Sequence, residues 1–268
     1  MLEELRRELA VATRMLVDAS ILNYSGHLST RVPGVSDELL VQPVDEPRAG
    51  LRPETVLRVR FDGTVIEGEG RPPSELAIHT GVYLARPDVA AVAHFHHDPT
   101  TVFSMVEGAA IVPVKNHASR WAAGVPVHPD PSHISTYEQG AELAVTLGSA
   151  HAALLRSHGE VVVAEDVPAL FTDVVHFVEN ADTLARAMTL GTVVPLRRYE
   201  CERFLATFDR RRHARKVWRY ATSVAVATGS VSTAWLEAPR PAAATATAAG
   251  GVGAVGSPGA DGNNGSRA

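Results

Sequence analysis

Cysteine is almost absent. Cys201 is the only one in 268 residues, so no intrachain disulfide can form and a reducing, cytoplasmic location is expected. Long apolar runs are missing as well. Stretches such as Val161–Ala164 and Val224–Ala227 fall far short of the ~20 residues that a spanning helix needs. The opening Met1-Leu-Glu-Glu-Leu-Arg-Arg lacks the apolar segment of a signal peptide, and no membrane partner is expected. Nor is there a basic surplus. Lys and Arg number 25 against 30 Asp and Glu, a formal net charge of −5, the reverse of what a nucleic-acid binder shows. Histidine is what the chain has in quantity: most of its 12 lie between His79 and His176, a density that points to metal or proton chemistry.

With 45% hydrophobic and 21% charged residues, the length suits one large domain with an ample core. Leu2, Leu5, Leu9, Ala12 and Leu16 recur at helical spacing and predict an amphipathic helix over 2–18. A polar loop from Asn23 leads into a strand near Arg31. Leu39–Gln42 and Val56–Phe61 read as strands, the second turning at Asp62-Gly63 into Thr64-Val65-Ile66. Ser74 is the expected N-cap of a helix over 75–86, which Pro87-Asp88 ends before a strand from Val89 to His96. Further on, the pattern predicts a helix near 99–106, a short strand at 111–114, a loop over 126–131 and a helix over 136–148. A strand over 151–156 then turns through Ser157-His158-Gly159 into Val161–Val163, and helices follow over 167–190 and 200–222. From Pro239 onward the chain is mostly Ala, Gly, Pro, Thr and Ser, and 237–268 is expected to be a disordered tail that cannot offset its ordering entropy. The folded part is then 1–236, a mixed α/β domain.

His94-Phe95-His96 closes the strand that begins at Val89. Residues i and i+2 of a strand share a face, so both imidazoles can reach one ion at about 2.0–2.1 Å; the alternative is a surface pair at a strand end. His158 ends another strand just before Gly159. A third imidazole there would complete a three-histidine site with an open position, the pattern of a catalytic metal. Glu75 opens a helix, where a carboxylate either complements the helix dipole or stands near the metal as ligand or general base.

Four stretches, taken together, resemble the class II aldolase/adducin family, which includes sugar-phosphate aldolases of the L-fuculose-1-phosphate type. They are Ser25-Gly-His-Leu-Ser-Thr-Arg31, Pro72-Pro-Ser-Glu-Leu-Ala-Ile-His79, Arg86-Pro-Asp-Val-Ala-Ala-Val-Ala-His-Phe-His96 and Leu155-Arg-Ser-His-Gly159, and their order and spacing extend the resemblance over about 1–210. The resemblance implies an α/β/α fold with a central, largely antiparallel sheet, and a homotetramer with active sites at subunit interfaces. It implies that His94, His96 and His158 bind a divalent ion, usually zinc, and that Glu75 is the catalytic acid/base and sometimes a ligand. The adducin branch is non-enzymatic and lacks the metal histidines. All three are present here, so an enzyme is expected.

Two departures from the family pattern bear on the substrate. Where the aldolases hold phosphate with Gly-Asn-x-Ser and Pro-Ser-Ser-Glu loops, this chain has Gly26-His27-Leu28-Ser29 and Pro72-Pro73-Ser74-Glu75. Proline offers neither a hydroxyl nor a backbone N–H, so Pro73 removes two phosphate donors, and His27 puts a bulkier ring in place of a short amide. The aldolases also use a Tyr from the loop after the His-x-His strand, where this chain reads Pro113-Val-Lys-Asn-His117-Ala-Ser-Arg120. His117 is a competent acid near neutral pH, and Lys115 and Arg120 could hold a carboxylate. These changes are similar to those of decarboxylating members that act on 3,4-dihydroxyphthalate-type acids.

The expected protein is a divalent-metal-dependent carbon–carbon lyase. Decarboxylation of an ortho-hydroxylated aromatic or hydroxy acid is favoured, with the metal stabilising the enolate left behind. His94, His96 and His158 would carry zinc, with manganese or iron as alternatives. Glu75 and His117 would move protons, and His27, Ser29, Arg31 and Ser74 would touch the small-molecule substrate. The rivals are a sugar-phosphate aldolase or epimerase and, from another class, a non-catalytic oligomeric binding protein of adducin type.

Overall fold

The computed structural model describes residues 1–236, and the expected tail over 237–268 lies outside the described residues. The elements run α1 (Leu2–Asp18), β1 (His27–Arg31), β2 (Glu38–Val41), β3 (Leu57–Arg60), β4 (Val65–Glu67), α2 (Leu76–Ala85), β5 (Ala91–Phe95) and α3 (Asp98–Thr101). Then follow β6 (Val127–His128), α4 (Tyr137–Leu147), β7 (Ala152–Leu155), β8 (Gly159–Ala164), α5 (Val167–Leu190), α6 (Arg198–Thr207) and α7 (Arg210–Thr228).

The strands form one sheet in the order β4-β3-β2-β1-β5-β8-β7-β6, antiparallel at every pairing except β6–β7. Side chains alternate across a strand, and here both faces are apolar. Ala91, Ala93 and Phe95 of β5, with Val162 and Ala164 of β8, join the core that also holds Leu9 of α1, Leu170 of α5 and Ala225 of α7. Val92, Val161 and Val163 join the opposite core with Ile78 of α2 and Leu143 of α4. The sheet is therefore sandwiched between two helical layers, the α/β/α arrangement that the sequence resemblance implied. His94 follows Val92 on the face covered by α2, at the centre of the sheet between β1 and β8.

Several local expectations are corrected. Ser74 makes no capping bond. The N-cap position of α2 is Glu75, whose side chain is not used as a cap, because its carboxylate is turned toward histidines. The segment 111–114 is not a strand; Pro113 has no N–H to place in a ladder. Instead the Asn180 side chain of α5 clamps it, donating to Val112 O at 3.0 Å and accepting from the N–H of Val114 at 2.9 Å and of Lys115 at 3.2 Å. Helix 99–106 shrinks to α3 and the 3₁₀ turn Val102–Ser104. The presumed loop over 126–131 contributes β6, paired in parallel with the end of β7. The single helix over 200–222 is two, because Asp209 interrupts it and caps α7 by accepting from Arg212 N–H at 2.9 Å.

Glu8 on α1 makes a pH-dependent contribution to this fold. Burial first, then the charges of Glu4 and Asp166, push its carboxyl from 4.5 up to about 7, and Arg211, Arg212, Arg215 and Arg219 of α7, which line the same cleft, do not reverse the shift. The folded state holds the proton more tightly than the unfolded chain. The stability this confers is full below about 4.5 and lost as pH rises through 7. Glu8→Gln is therefore expected to gain on the parent by about 1–2 kcal/mol between pH 5 and 8, after allowance for partial exposure. Urea unfolding at both pH values measures the gap, and a gap that stays constant would refute the assignment.

Candidate metal centre

His94 and His96 lie at the end of β5, His158 in the turn between β7 and β8, and Glu75 at the entrance to α2. One ligand atom from each of these four residues lies within 4.8 Å of the others. Glu75 Oε2 is 3.4 Å from His94 Nε2 and Glu75 Oε1 is 3.5 Å from His158 Nε2. Ligands bound at ~2.0–2.2 Å in a tetrahedron stand roughly 3.3–3.6 Å apart, so these separations already fit a single small ion. The ring of His94 is 4.6 Å from that of His96 and 5.1 Å from that of His158, edge to face in both cases. Gly159 permits this convergence: a Cβ there would strike the Phe95 carbonyl and the His96 ring.

The donor chemistry fits as well as the spacing. His94 Nδ1 lies 2.9 Å from the Glu160 carbonyl, which can only accept, so Nδ1 carries the proton and the Nε2 lone pair faces Glu75. That buried Nε2 has no hydrogen-bond partner, and neither do the two ring nitrogens of His158. Burial, followed by the neighbouring His94 and His158, lowers His96 to about 3; burial and His94 also lower His158. Neutral imidazoles are the form that binds metal. Burial alone would raise the Glu75 carboxyl. The neighbouring His94 and His158 and the Ile134 N–H at 3.1 Å outweigh it and hold the group below the usual carboxylate range. The site thus presents three ring nitrogens and one carboxylate.

The other candidate residues are dispersed. His27 is buried, its ring centroid 5.2 Å from that of His94, with Nδ1 2.6 Å from His79 Nε2. Ser29 is fully buried beneath α2, its hydroxyl 2.6 Å from His79 Nδ1 and 2.7 Å from the Tyr83 hydroxyl. Its atoms are spent on a core network rather than offered to a ligand. Arg31 donates to the backbone carbonyls of Tyr83, Val89 and Arg86 and stacks over the Tyr83 ring, a structural engagement. Ser74 is exposed beside Glu75. His117 does not join the Glu75 set; it stands with His176 and His213. Lys115 and Arg120 are not free cations, being paired with Glu179 at 2.9 Å and Asp173 at 2.6 Å.

Three residues escaped the sequence reading. His79, buried on α2, links His27 to Ser29 and is lowered to about 3 by burial and His94; its i+4 spacing from Glu75 was the available signal. Glu160, wholly buried, accepts from the Thr101 hydroxyl at 2.6 Å and the His97 N–H at 3.1 Å, and burial raises it to about 8. His133 puts Nδ1 3.6 Å from Glu75 Oε1 while its side chain stays 80% exposed, at the open side of the cluster.

A family model described as the Class II Aldolase and Adducin N-terminal domain matches residues 7–185. A 3,4-dihydroxyphthalate decarboxylase from Rhodococcus jostii (strain RHA1) is 31% identical over 155 residues, which span 53% of this chain and 63% of that protein, less than two thirds of its length. The protein of the same name from Arthrobacter keyseri is 30% identical over 194 residues, 67% of this chain and 75% of its own. In fold, the chain is similar to the L-fuculose 1-phosphate aldolase from Glaciozyma antarctica PI12, with a TM-score of 0.72 at 21% identity over 84% of this chain and 91% of that one.

Proposed function

Because the chain belongs to the class II aldolase and adducin family, we propose that it is a divalent-metal-dependent carbon–carbon lyase that decarboxylates an ortho-hydroxylated aromatic or hydroxy acid. The observation that carries this reading is the convergence of Glu75, His94, His96 and His158, with the His94 Nε2 lone pair buried and unpartnered. The two relatives named as decarboxylases support the choice of reaction. The proline at 73, buried two residues before Glu75, supports a substrate without phosphate, since it can donate no hydrogen bond.

His94, His96 and His158 would hold the ion, and zinc is favoured, although manganese or iron suits the same donors. Bound there, the ion would supply a Lewis acid for the charge left on substrate oxygen when the carbon–carbon bond breaks. Glu75 starts as a carboxylate. It takes the proton of the substrate hydroxyl at one Oε and delivers it to the carbon that bears the carboxylate; CO2 then leaves, its bonding pair returns to the substrate oxygen, and the product takes its last proton from water. The Ile134 N–H and His133 aim that carboxylate. His27 and Ser74 flank the site and are the proposed substrate contacts; Ser29 and Arg31 shape it from the core. His117 is left out of the catalytic set because its ring is engaged elsewhere. The family resemblance adds a homotetramer, and the single cysteine favours a cytoplasmic location. Among the described residues no helix is long and apolar enough to cross a membrane.

The test is CO2 release from a panel of ortho-hydroxy and dihydroxy aromatic acids by metal-reconstituted protein, with L-fuculose 1-phosphate run alongside for aldehyde. CO2 from one acid is the expected result. Aldehyde without CO2 would replace the reading with a sugar-phosphate aldolase.

A further inference from the structure

A second convergence of histidines lies outside the Glu75 set. His117 comes from the 3₁₀ turn Asn116–Trp121, His176 from α5 and His213 from α7. One ring nitrogen of each lies within 4.8 Å of the other two, the only such group besides the first among the described residues. His176 Nε2 and His213 Nε2 are 2.9 Å apart. The His117 ring stacks on that of His176 with centroids 4.5 Å apart and planes at 10°, and on that of His213 at 4.5 Å and 28°. His96 and His158 in the first cluster show the same near-parallel arrangement, at 5.2 Å and 15°. Phe204 and Phe208 pack on His117, and the cluster opens into a cavity of about 290 Å³ that Arg120 and Arg210 also line.

Packing three imidazoles this way, with His117 Nδ1 buried and unpartnered, calls for something that all three lone pairs can share. A neutral imidazole has one donor and one acceptor nitrogen, so the His176–His213 pair can share one proton between its facing nitrogens but cannot also satisfy His117. A carboxylate stands behind the cluster: Glu179 Oε2 is 3.5 Å from His176 Nδ1 and 2.9 Å from Lys115 Nζ. The carboxylate stands on the side where the second nitrogen of a metal-binding histidine usually finds its acceptor, and His176 Nδ1 makes no hydrogen bond elsewhere. The guanidinium groups in the cavity wall do not oppose a cation, because Asp173 and Glu165 pair with both.

We propose that His117, His176 and His213 form a second divalent-metal site, of zinc class, whose open coordination position faces the cavity and takes water or a small anion. Three imidazoles and no direct carboxylate exclude magnesium and calcium and suit zinc, cobalt, nickel or copper. The site ties together the loop after β5, α5 and α7, and is independent of the proposed decarboxylation.

Cobalt(II) titration of the chelator-stripped full chain, free of any polyhistidine tag, tests this. The expected binding is two equivalents per chain, each with visible d–d absorption. His94→Ala/His96→Ala should keep one equivalent. His176→Gln/His213→Gln should keep the other while cobalt affinity at the lost site falls about 100-fold or more, and the fourfold variant should bind none. One equivalent in the parent that disappears in His94→Ala/His96→Ala would overturn the proposal, because the cobalt would then sit only at the first cluster. So would an unchanged second equivalent in a His176→Gln/His213→Gln chain whose circular dichroism matches the parent. Failure of the decarboxylase reading would leave both results untouched.

Discussion

His94→Ala is expected to remove one equivalent of metal per chain and to lower turnover by about 10³-fold or more, the loss of roughly 4 kcal/mol of Lewis-acid stabilisation. His94 is the inner member of its cluster. It is fully buried, its ring is within 5.1 Å of both other imidazoles, and its Nε2 is 3.4 Å from the carboxylate. Its Nδ1–H is committed to the Glu160 carbonyl, so no rotation could let another group take its place. The measurement pairs metal content by mass spectrometry with turnover of whichever acid the parent decarboxylates. His96→Ala should behave alike, since three-ligand sites do not survive as two-ligand ones at micromolar metal. Undiminished turnover in metal-free His94→Ala would end the metal-dependent reading, and circular dichroism separates that outcome from simple unfolding.

What could be read in the sequence was mostly what local periodicity carries. The strand through Val92 and His94 has period two, and that alone puts His94 and His96 on one face; Glu75 and His158 stood out singly at a helix start and a strand end, the resemblance joined them to that pair, and the structure brings all four together. The same periodicity puts His27 and Ser29 on one face of β1. Whether that face is open or covered depends on α2, whose His79 and Tyr83 descend onto it. Nothing local to β1 carries that information. The loop after β5 was harder still. Asn180, far along the chain on α5, clamps Val112, Val114 and Lys115, and the clamp directs His117 toward His176 rather than toward Glu75. Lys115 and Arg120 looked free for the same reason, because their partners Glu179 and Asp173 lie one residue and two turns before that asparagine on the same helix. A 24-residue helix that reads as a simple apolar stripe thus organises the second half of the molecule through its polar positions.

Asp173→Ala should be the most destabilising single polar substitution in that half, by about 3–5 kcal/mol. Asp173 is buried on α5, stands 2.6 Å from Arg120 Nε as an ion pair, and grips Arg210 through two parallel bonds of 2.6 and 2.8 Å. Arg210 in turn donates to Glu165 at 2.9 and 3.1 Å, and Arg120 lies 3.7 Å from the same carboxylate. Alanine would leave two largely buried guanidinium groups facing one carboxylate, and the cost is chiefly that of the stranded charge rather than of the lost attraction. At 2–4 °C per kcal/mol for a domain of this size, the melting temperature should fall by roughly 10 °C. The origin of the effect separates it from ordinary cavity formation. If stranded charge dominates, then removing a guanidinium together with the carboxylate, as in Asp173→Leu/Arg210→Met, should cost less than Asp173→Ala alone. Thermal unfolding of the two variants beside the parent decides it, and a double variant less stable than the single one would mean that the pair holds the 3₁₀ turn, α5 and α7 together by attraction after all.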